Sequence, residues 1–224
     1  MASALRSRLA GKDNKTSSGN WPTEAAGWNA LTTSEYATVP SSFSPDGQLL
    51  AYIEVNPTTA DDIWVLRLSD RKAQPFLKTE FNEAAPAFSP DGRWLAYISD
   101  ESGRYEVYVQ PYRGPGGKYQ ISTEGGTEPV WNPKGKELFY RSGDKMMAVD
   151  VTTHPSFSVS KPRMLFRGPY LPTPTTVPYY DVSPDGQRFL MVKPAEQTAS
   201  SPLTQIVVVQ NWFEELKRLV PTEK

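Results

Sequence analysis

The segment Phe88-Ser89-Pro90-Asp91-Gly92 decides the fold of this 224-residue chain, because closely related phrases recur along it. They stand at residues 43–47, 131–135 and 182–186, so that the closing glycines lie 45, 43 and 51 residues apart. A repeat of about 40–50 residues is typical of the four-stranded blades of a β-propeller. The sequence therefore predicts an all-β propeller of about four antiparallel blades, which form a complete small ring or a partial ring.

Each residue of the phrase suits a tight turn between two strands. Proline presets φ for the first corner, serine or asparagine before it bonds to the turn backbone, and glycine accepts the left-handed conformation. An apolar residue precedes each turn. An alternating strand follows it, at residues 49–54, 94–99, 137–141 and 188–192. We therefore interpret Asp46, Asp91 and Asp185 as turn residues.

The remaining strands of each blade follow from the same register. The innermost strands are expected near residues 39–43, 84–88, 127–131 and 178–182, immediately before the turns. The third strands are expected at residues 63–68, 105–110, 145–151 and 204–209. The fourth strand ends in a recurring triplet, which reads Leu77-Lys78-Thr79 in one blade and Ile121-Ser122-Thr123 in the next.

The two ends of the chain are complementary. The triplet occurs once more as Leu31-Thr32-Thr33, whereas the last blade lacks a fourth strand. A strand at residues 28–33 that pairs with residues 204–209 would close a four-bladed ring, which protects the sheet edges. If this pairing does not form, two open half-rings are expected to associate as a homodimer, since bare blade faces would expose apolar surface.

The sequence also predicts three regions. Residues 1–27 show no periodicity and are expected to form a flexible leader. Residues 28–213 form the propeller. Residues 214–224 are expected to form a short C-terminal helix and tail. A capping box marks the start of this helix, with Asn211 at the N-cap and Glu214 at the third helical position.

Composition excludes several functional classes. Lys and Arg number 24 against 25 Asp and Glu, so the basic excess of a nucleic-acid-binding protein is missing. The chain contains no cysteine, which excludes disulfides, thiolate metal sites and a cysteine nucleophile. No apolar run is long enough to span a membrane or to serve as a signal peptide, so the chain as written is expected to be soluble and cytoplasmic.

Several segments resemble a known family. The repeated turn phrase, Trp94-Leu95-Ala96-Tyr97 and the segment 125–131 are similar to the TolB-like, WD-repeat-related propellers. With the tail at 211–216, they most closely resemble the propeller at the C-terminal end of bacterial transmembrane serine/threonine kinases. The resemblance implies a propeller that binds proteins or peptides, in a family that is often periplasmic or extracellular. No kinase motif is present in the chain.

The sequence contains no motif for enzymatic chemistry. No serine has glycine two residues before it, so the nucleophile elbow of α/β-hydrolases is missing. No phosphate-binding loop of the Walker type occurs. The single histidine, His154, precedes Pro155 in a connecting segment and is interpreted as an exposed loop residue. Whether the chain is an enzyme is therefore left open.

Acidic residues are the one pattern that suggests a site. Glu83 and Glu128 enter innermost strands, and Asp181 occupies a position matched by Ser42, Ala87 and Val130 in the other blades. Carboxylates that converge on a channel mouth could hold Ca²⁺, which takes six to eight oxygen ligands, or attract a cationic partner segment. The alternative interpretation is that these are ordinary solvated acids in turns.

Two functions of different class follow from these observations. The first is a non-catalytic module that binds a protein or peptide partner through one face and requires no cofactor. The second is a Ca²⁺-dependent hydrolase of the propeller lactonase type, in which the ion polarises a lactone or ester and Glu83, Glu128 and Asp181 are the candidate ligands. We favour the binding module, since no motif matches the lactonases.

Overall fold

The computed structural model describes residues 31–32, 34–154, 156–171 and 177–194, together with the backbone of residues 206–209. All regular structure in this part of the chain is β. It comprises sixteen strands in four separate sheets, and every strand pair is antiparallel. The predicted all-β propeller architecture is thus confirmed.

Each sheet is one blade, and its strands follow one another in chain order from the innermost strand outward. Blade 1 contains β1 (Ala37–Phe43), β2 (Leu49–Asn56), β3 (Ala60–Arg67) and β4 (Lys72–Leu77). Blade 2 contains β5 (Glu83–Phe88), β6 (Trp94–Ser99), β7 (Glu106–Pro111) and β8 (Tyr119–Gln120). Blade 3 contains β9 (Thr127–Trp131), β10 (Glu137–Ser142), β11 (Lys145–Thr152), β12 (Ser158–Val159) and β13 (Arg163–Arg167). Blade 4 contains β14 (Tyr180–Val182), β15 (Phe189–Val192) and β16 (Ile206–Val209).

Blades 3 and 4 depart from the simple four-stranded pattern. In blade 3 the outer edge of β11 is shared by two short strands, since β12 and β13 both pair with it. In blade 4 the described residues provide three strands, in the order β14-β15-β16. The four innermost strands β1, β5, β9 and β14 fall where the turn phrases predict them.

The turn phrase has the hydrogen bonds that its residues predict. In blade 1, Gly47 N donates to Ser44 O at 2.9 Å and Ser44 N donates to Leu49 O at 2.9 Å. The Asp46 carboxylate accepts from Ser44 Oγ at 2.6 Å and from Gln48 N at 3.0 Å. These two hydrogen bonds hold the pKa of Asp46 below its ordinary value. Asp46 is therefore occupied with the geometry of its own turn, as the sequence predicts.

Apolar faces hold successive blades together. Alternating side chains of β2 and β6 point to opposite neighbours, so that each blade contributes one face to the core before it and one to the core after it. Blades 1 and 2 share a buried cluster of Ala51, Ile63, Val65, Phe88, Leu95, Tyr97 and Tyr108. Blades 3 and 4 share a second cluster of Phe139, Met146, Ala148, Leu165, Tyr180, Val182, Phe189 and Met191.

Hydrogen bonds fix the innermost strands to one another. Phe88 N donates to Ser42 Oγ at 3.1 Å, which joins blade 2 to blade 1. The Trp131 indole N–H donates to Ala87 O at 3.0 Å, which joins blade 3 to blade 2. These contacts set the walls of the central channel.

Several predictions lie outside the described residues. They are the leader at 1–27, the closing strand at 28–33 and the C-terminal helix at 214–224. Of the closing strand, the structure describes Leu31 and Thr32. Ring closure and the homodimer consequently stay predictions.

The described part of the chain contains no helix with the length and apolar character needed to cross a membrane.

Two turn glycines provide a test of how closely the blades pack. Gly47 and Gly186 both have positive φ, at 68° and 74°. A Cβ at Gly47 would meet no atom within 4 Å, whereas a Cβ at Gly186 would lie 2.4 Å from Asn132 Oδ1 in blade 3. Asn132 has little freedom to move, because its side chain accepts from Lys134 N at 3.0 Å and donates to Glu137 Oε2 at 2.8 Å.

We expect Gly47→Ala to lower the free energy of unfolding by about 1 kcal/mol, the cost of a left-handed alanine. Gly186→Ala should cost roughly 1–3 kcal/mol more, because it adds an overpacked contact. Urea unfolding of the two variants measures both values. Equal losses would show that Asn132 yields and that blades 3 and 4 are loosely packed here.

Candidate functional site

Residues from the innermost strands of all four blades, together with part of β15, line a half-open central cavity of about 610 Å³. This volume lies within the range of about 300–1,000 Å³ that is typical of ligand-binding pockets. The described residues that line it come from blade 1 (Ser41, Ser42), blade 2 (Ala85, Pro86, Ala87, Phe88, Pro90), blade 3 (Pro129, Val130, Trp131) and blade 4 (Val177, Pro178, Tyr179, Tyr180, Asp181, Leu190, Val192).

Asp181 is the single charged residue among the described residues that line this cavity. It stands five residues before its turn glycine, and the same position is Ser42, Ala87 and Val130 in the other blades. Its Oδ1 accepts a hydrogen bond from Val182 N at 2.8 Å. No lysine, arginine or histidine of the described residues forms an ion pair with it. The cavity therefore has one carboxylate that is exposed and open to a cation.

An uncovered apolar wall lies beside this carboxylate. Leu190 and Val192 of β15 are 41% and 38% exposed. The residues at the same distance from the turn glycine in blade 1, Ala51 and Ile53, are completely buried against blade 2. Because Asp181 pairs with Leu190 across the β14–β15 ladder, the charge and the apolar wall occupy the same face of blade 4.

Blade 1 contributes two serines to the lining of the cavity. The Ser42 hydroxyl accepts from Phe88 N and is thus held by the backbone. The Ser41 Oγ is buried and has no hydrogen-bond partner among the described residues.

Glu83 does not line the cavity. It is 2% exposed, and its Oε1 accepts a hydrogen bond from the Thr79 hydroxyl, while Oε2 has no partner among the described residues. Burial and, to a smaller extent, the nearby carboxylates of Asp62 and Glu101 together raise the pKa of Glu83 to about 7, against the opposing effect of Thr79. Glu83 therefore carries a proton over much of the pH range in which ordinary carboxylates are ionised.

Glu128 joins blade 3 to blade 4. It is 2% exposed, its Oε2 accepts from Tyr179 N at 2.8 Å, and its backbone O accepts from the Tyr180 hydroxyl at 2.9 Å. Its Oε1 lies 4.0 Å from Nη1 of Arg141, which is 3% exposed. Burial raises the pKa of Glu128, and the hydrogen bond from Tyr179 N and the charge of Arg141 oppose this shift. Glu128 thus has a role in blade packing.

The three predicted site residues consequently occupy three different environments. Asp181 lines the cavity, Glu83 is enclosed at the start of β5, and Glu128 is enclosed between blades 3 and 4. Within the described ranges there is no group of three or more His, Asp or Glu side chains that could hold a metal ion. The Ca²⁺ site stays a prediction.

Arg141 is the residue that sequence reasoning missed. It stands six residues after its turn glycine, where blades 1 and 2 have Ile53 and Ile98. Its Nη2 donates to Gly143 O at 2.9 Å, and its guanidinium lies 5.7 Å from the centre of the Tyr170 ring. A charged residue at an otherwise apolar alternating position is the signal that could have identified it as the buried partner of Glu128.

Comparison with known proteins places the chain in one family. A profile for the TolB beta propeller domain matches residues 24–216. No curated protein sequence matches the chain.

Three solved structures illustrate the fold. The crystal structure of TolB from Acinetobacter baumannii is 17% identical with a TM-score of 0.57, over 81% of this chain and 43% of that one. Oligogalacturonate lyase in complex with manganese is 14% identical with a TM-score of 0.54, over 83% and 54%. Puromycin hydrolase is 16% identical with a TM-score of 0.51, over 74% and 27%. The chain spans about half the length of these structures or less, and at such identities the likeness shows the fold alone.

The environment of Glu83 makes a prediction about pH. An acid whose pKa is raised on folding stabilises the protein most at low pH, and this contribution is lost as the pH rises through the folded-state value. For Glu83 the loss extends from its ordinary pKa of about 4.5 to about 7. Glu83→Gln should therefore match the wild type in stability below pH 4.5 and exceed it at pH 8 by roughly 3 kcal/mol.

Denaturant unfolding at several pH values measures this difference. Glu106→Gln is the matched control, because Glu106 is equally buried but accepts from Arg104 Nε at 2.8 Å, from Gly125 N at 2.9 Å and from the Ser122 hydroxyl. This control should be less stable than the wild type at pH 8. A Glu83→Gln effect that does not change with pH would contradict the prediction.

Proposed function

This chain belongs to the TolB beta propeller domain family, and on that basis we propose that it is a non-catalytic module that binds a protein or peptide partner through its central cavity. The observation that carries the proposal is the cavity itself. Four innermost strands form its walls, these walls are mainly apolar, and one carboxylate and two serines provide the polar groups. Binding pockets typically combine an apolar surface with a few polar groups that fix orientation.

The arrangement favours binding over hydrolysis. General acid–base catalysis uses titratable side chains that lie within hydrogen-bond reach of the substrate. Among the described residues, Asp181 is the single carboxylate on the cavity, and Glu83 and Glu128 are enclosed in other contacts. His154 lies outside the lining, on an exposed segment where its ring contacts Arg93.

The family likeness supports a finer proposal. The segment 125–131, which opens blade 3, and the tail at 211–216 are the parts that resemble the propellers of bacterial transmembrane kinases. We therefore infer that the chain serves as the ligand-binding propeller of a larger assembly.

Filling the cavity tests the proposed function. A library of random dodecapeptides displayed on phage is selected on the wild-type protein, and the affinities of the enriched peptides are measured by fluorescence anisotropy. Ala87→Trp places an indole in the cavity without changing its charge and should weaken binding at least tenfold. The peptide backbone is kept, so the hydrogen bond from Trp131 to Ala87 O can remain.

Ala73→Trp is the matched control, since Ala73 lies on the exposed outer strand β4, away from the cavity. This control should bind the peptides as the wild type does. Peptides that bind wild type and Ala87→Trp equally well would show that the cavity is not the binding site, and a library without enriched peptides would overturn the proposal. Thermal unfolding of both variants checks that each is folded.

A further inference from the structure

The occupant of the cavity can be described more closely, and this step rests on the proposed function. We infer that the cavity takes a peptide segment that places one lysine or arginine side chain against Asp181 and small apolar side chains against Leu190 and Val192. Two features of the described residues support this inference: an isolated charge and an uncovered apolar wall beside it.

The isolated charge selects a cation. Blade 2 packs on the face of blade 1 and buries it. A segment that packed on blade 4 in the same way would remove water from Asp181. A carboxylate that loses its water without gaining a partner destabilises the complex, because the desolvation of the ion is not offset. The described lining provides no cation for this purpose. The occupant must therefore bring one, and a lysine or arginine forms charge-assisted hydrogen bonds with a carboxylate.

The apolar wall selects the residues beside that cation. Leu190 and Val192 are exposed at positions that are completely buried in blades 1 and 2, so covering them stabilises a complex by the hydrophobic effect. On the other walls, Pro86 and Pro129 present apolar rings with no side-chain donor. Because a volume of about 610 Å³ must hold the lysine or arginine as well, its neighbours in the peptide are expected to be small.

The same charge argues against a further apolar blade as the occupant. Blades 1, 2 and 3 have Ser42, Ala87 and Val130 at the position of Asp181, and these uncharged residues can be covered without a partner. A further blade would offer Asp181 a backbone N–H, as Phe88 N offers Ser42 at the same position, and a single N–H would leave its negative charge without a cation. A second copy of the chain is another alternative, which the experiment below distinguishes.

The peptides selected on the wild-type protein test the inference. We expect lysine or arginine to be enriched at one position between small apolar residues. Replacing that residue by norleucine should weaken binding to the wild type about tenfold, as expected for loss of a hydrogen bond between charged groups. Asp181→Asn should weaken binding of the parent peptide by a similar factor. The parent peptide and its norleucine variant should bind Asp181→Asn with the same affinity.

Asp185→Asn is the matched control, because it removes a carboxylate four residues away that is engaged in its own turn with Ser183 and Gln187. This variant should bind both peptides as the wild type does. Asparagine at position 181 can still accept from Val182 N, so the local backbone is retained. Circular dichroism and thermal unfolding confirm that the two variants fold.

The outcomes separate this inference from the proposed function. Suppose that the selected peptides do not bind Ala87→Trp, lack a basic residue, and bind Asp181→Asn as tightly as the wild type. This result would overturn the inference and leave the proposed function intact. Peptides that Ala87→Trp does not exclude would overturn both. A concentration-dependent wild-type dimer that Leu190→Lys dissociates, measured by sedimentation equilibrium, would assign the face to a second copy and overturn the inference.

Discussion

The structure depends on one constraint, the alternation of side chains along the second strand of each blade. In β2, Ala51 and Ile53 point toward blade 2, while Leu50 and Tyr52 point to the opposite side. A blade that is apolar on both faces is stable only between two neighbours, so each blade requires the next. The order of the blades, the convergence of the innermost strands and the central cavity all follow from this requirement. At blade 4 the requirement is unmet among the described residues, since Leu190 and Val192 remain exposed.

The same alternation determines what happens to the charged residues. Positions on blade faces exclude water, so a charge placed there needs a partner from the chain or a proton. Arg141 and Glu128, both of blade 3, form such a pair on the face that packs against blade 4. Glu83 has no cation beside it among the described residues, and its pKa is instead raised to about 7. Among the described residues, Asp181 has neither a paired cation nor burial, which distinguishes it from Glu83 and Glu128.

Much of the fold was predictable from the sequence, because the turn phrase fixes the positions of the two strands that flank it, whereas the outer strands of blade 3 were not predicted. The positions of β1, β5, β9 and β14, the turn role of Asp46 and the equivalence of Asp181 with Ser42 all follow from counting residues to the turn glycine. The site was predictable only in part. Glu83 and Glu128 are long side chains near a channel mouth, and spacing alone does not tell whether such a side chain extends to the channel or folds back. Contacts with Thr79 and Arg141 decide this, and they depend on the three-dimensional packing of loops and neighbouring strands.

The short outer strands have a consequence for the behaviour of the protein at high concentration. β8 and β12 are two residues long, and the longer β4 carries Pro75, which lacks the N–H needed to extend a ladder. Edges of this kind give an incoming chain little to pair with, which is how natural β-proteins avoid edge-to-edge aggregation. The rim formed by β4, β8 and β12 therefore resists the growth of a continuous intermolecular sheet.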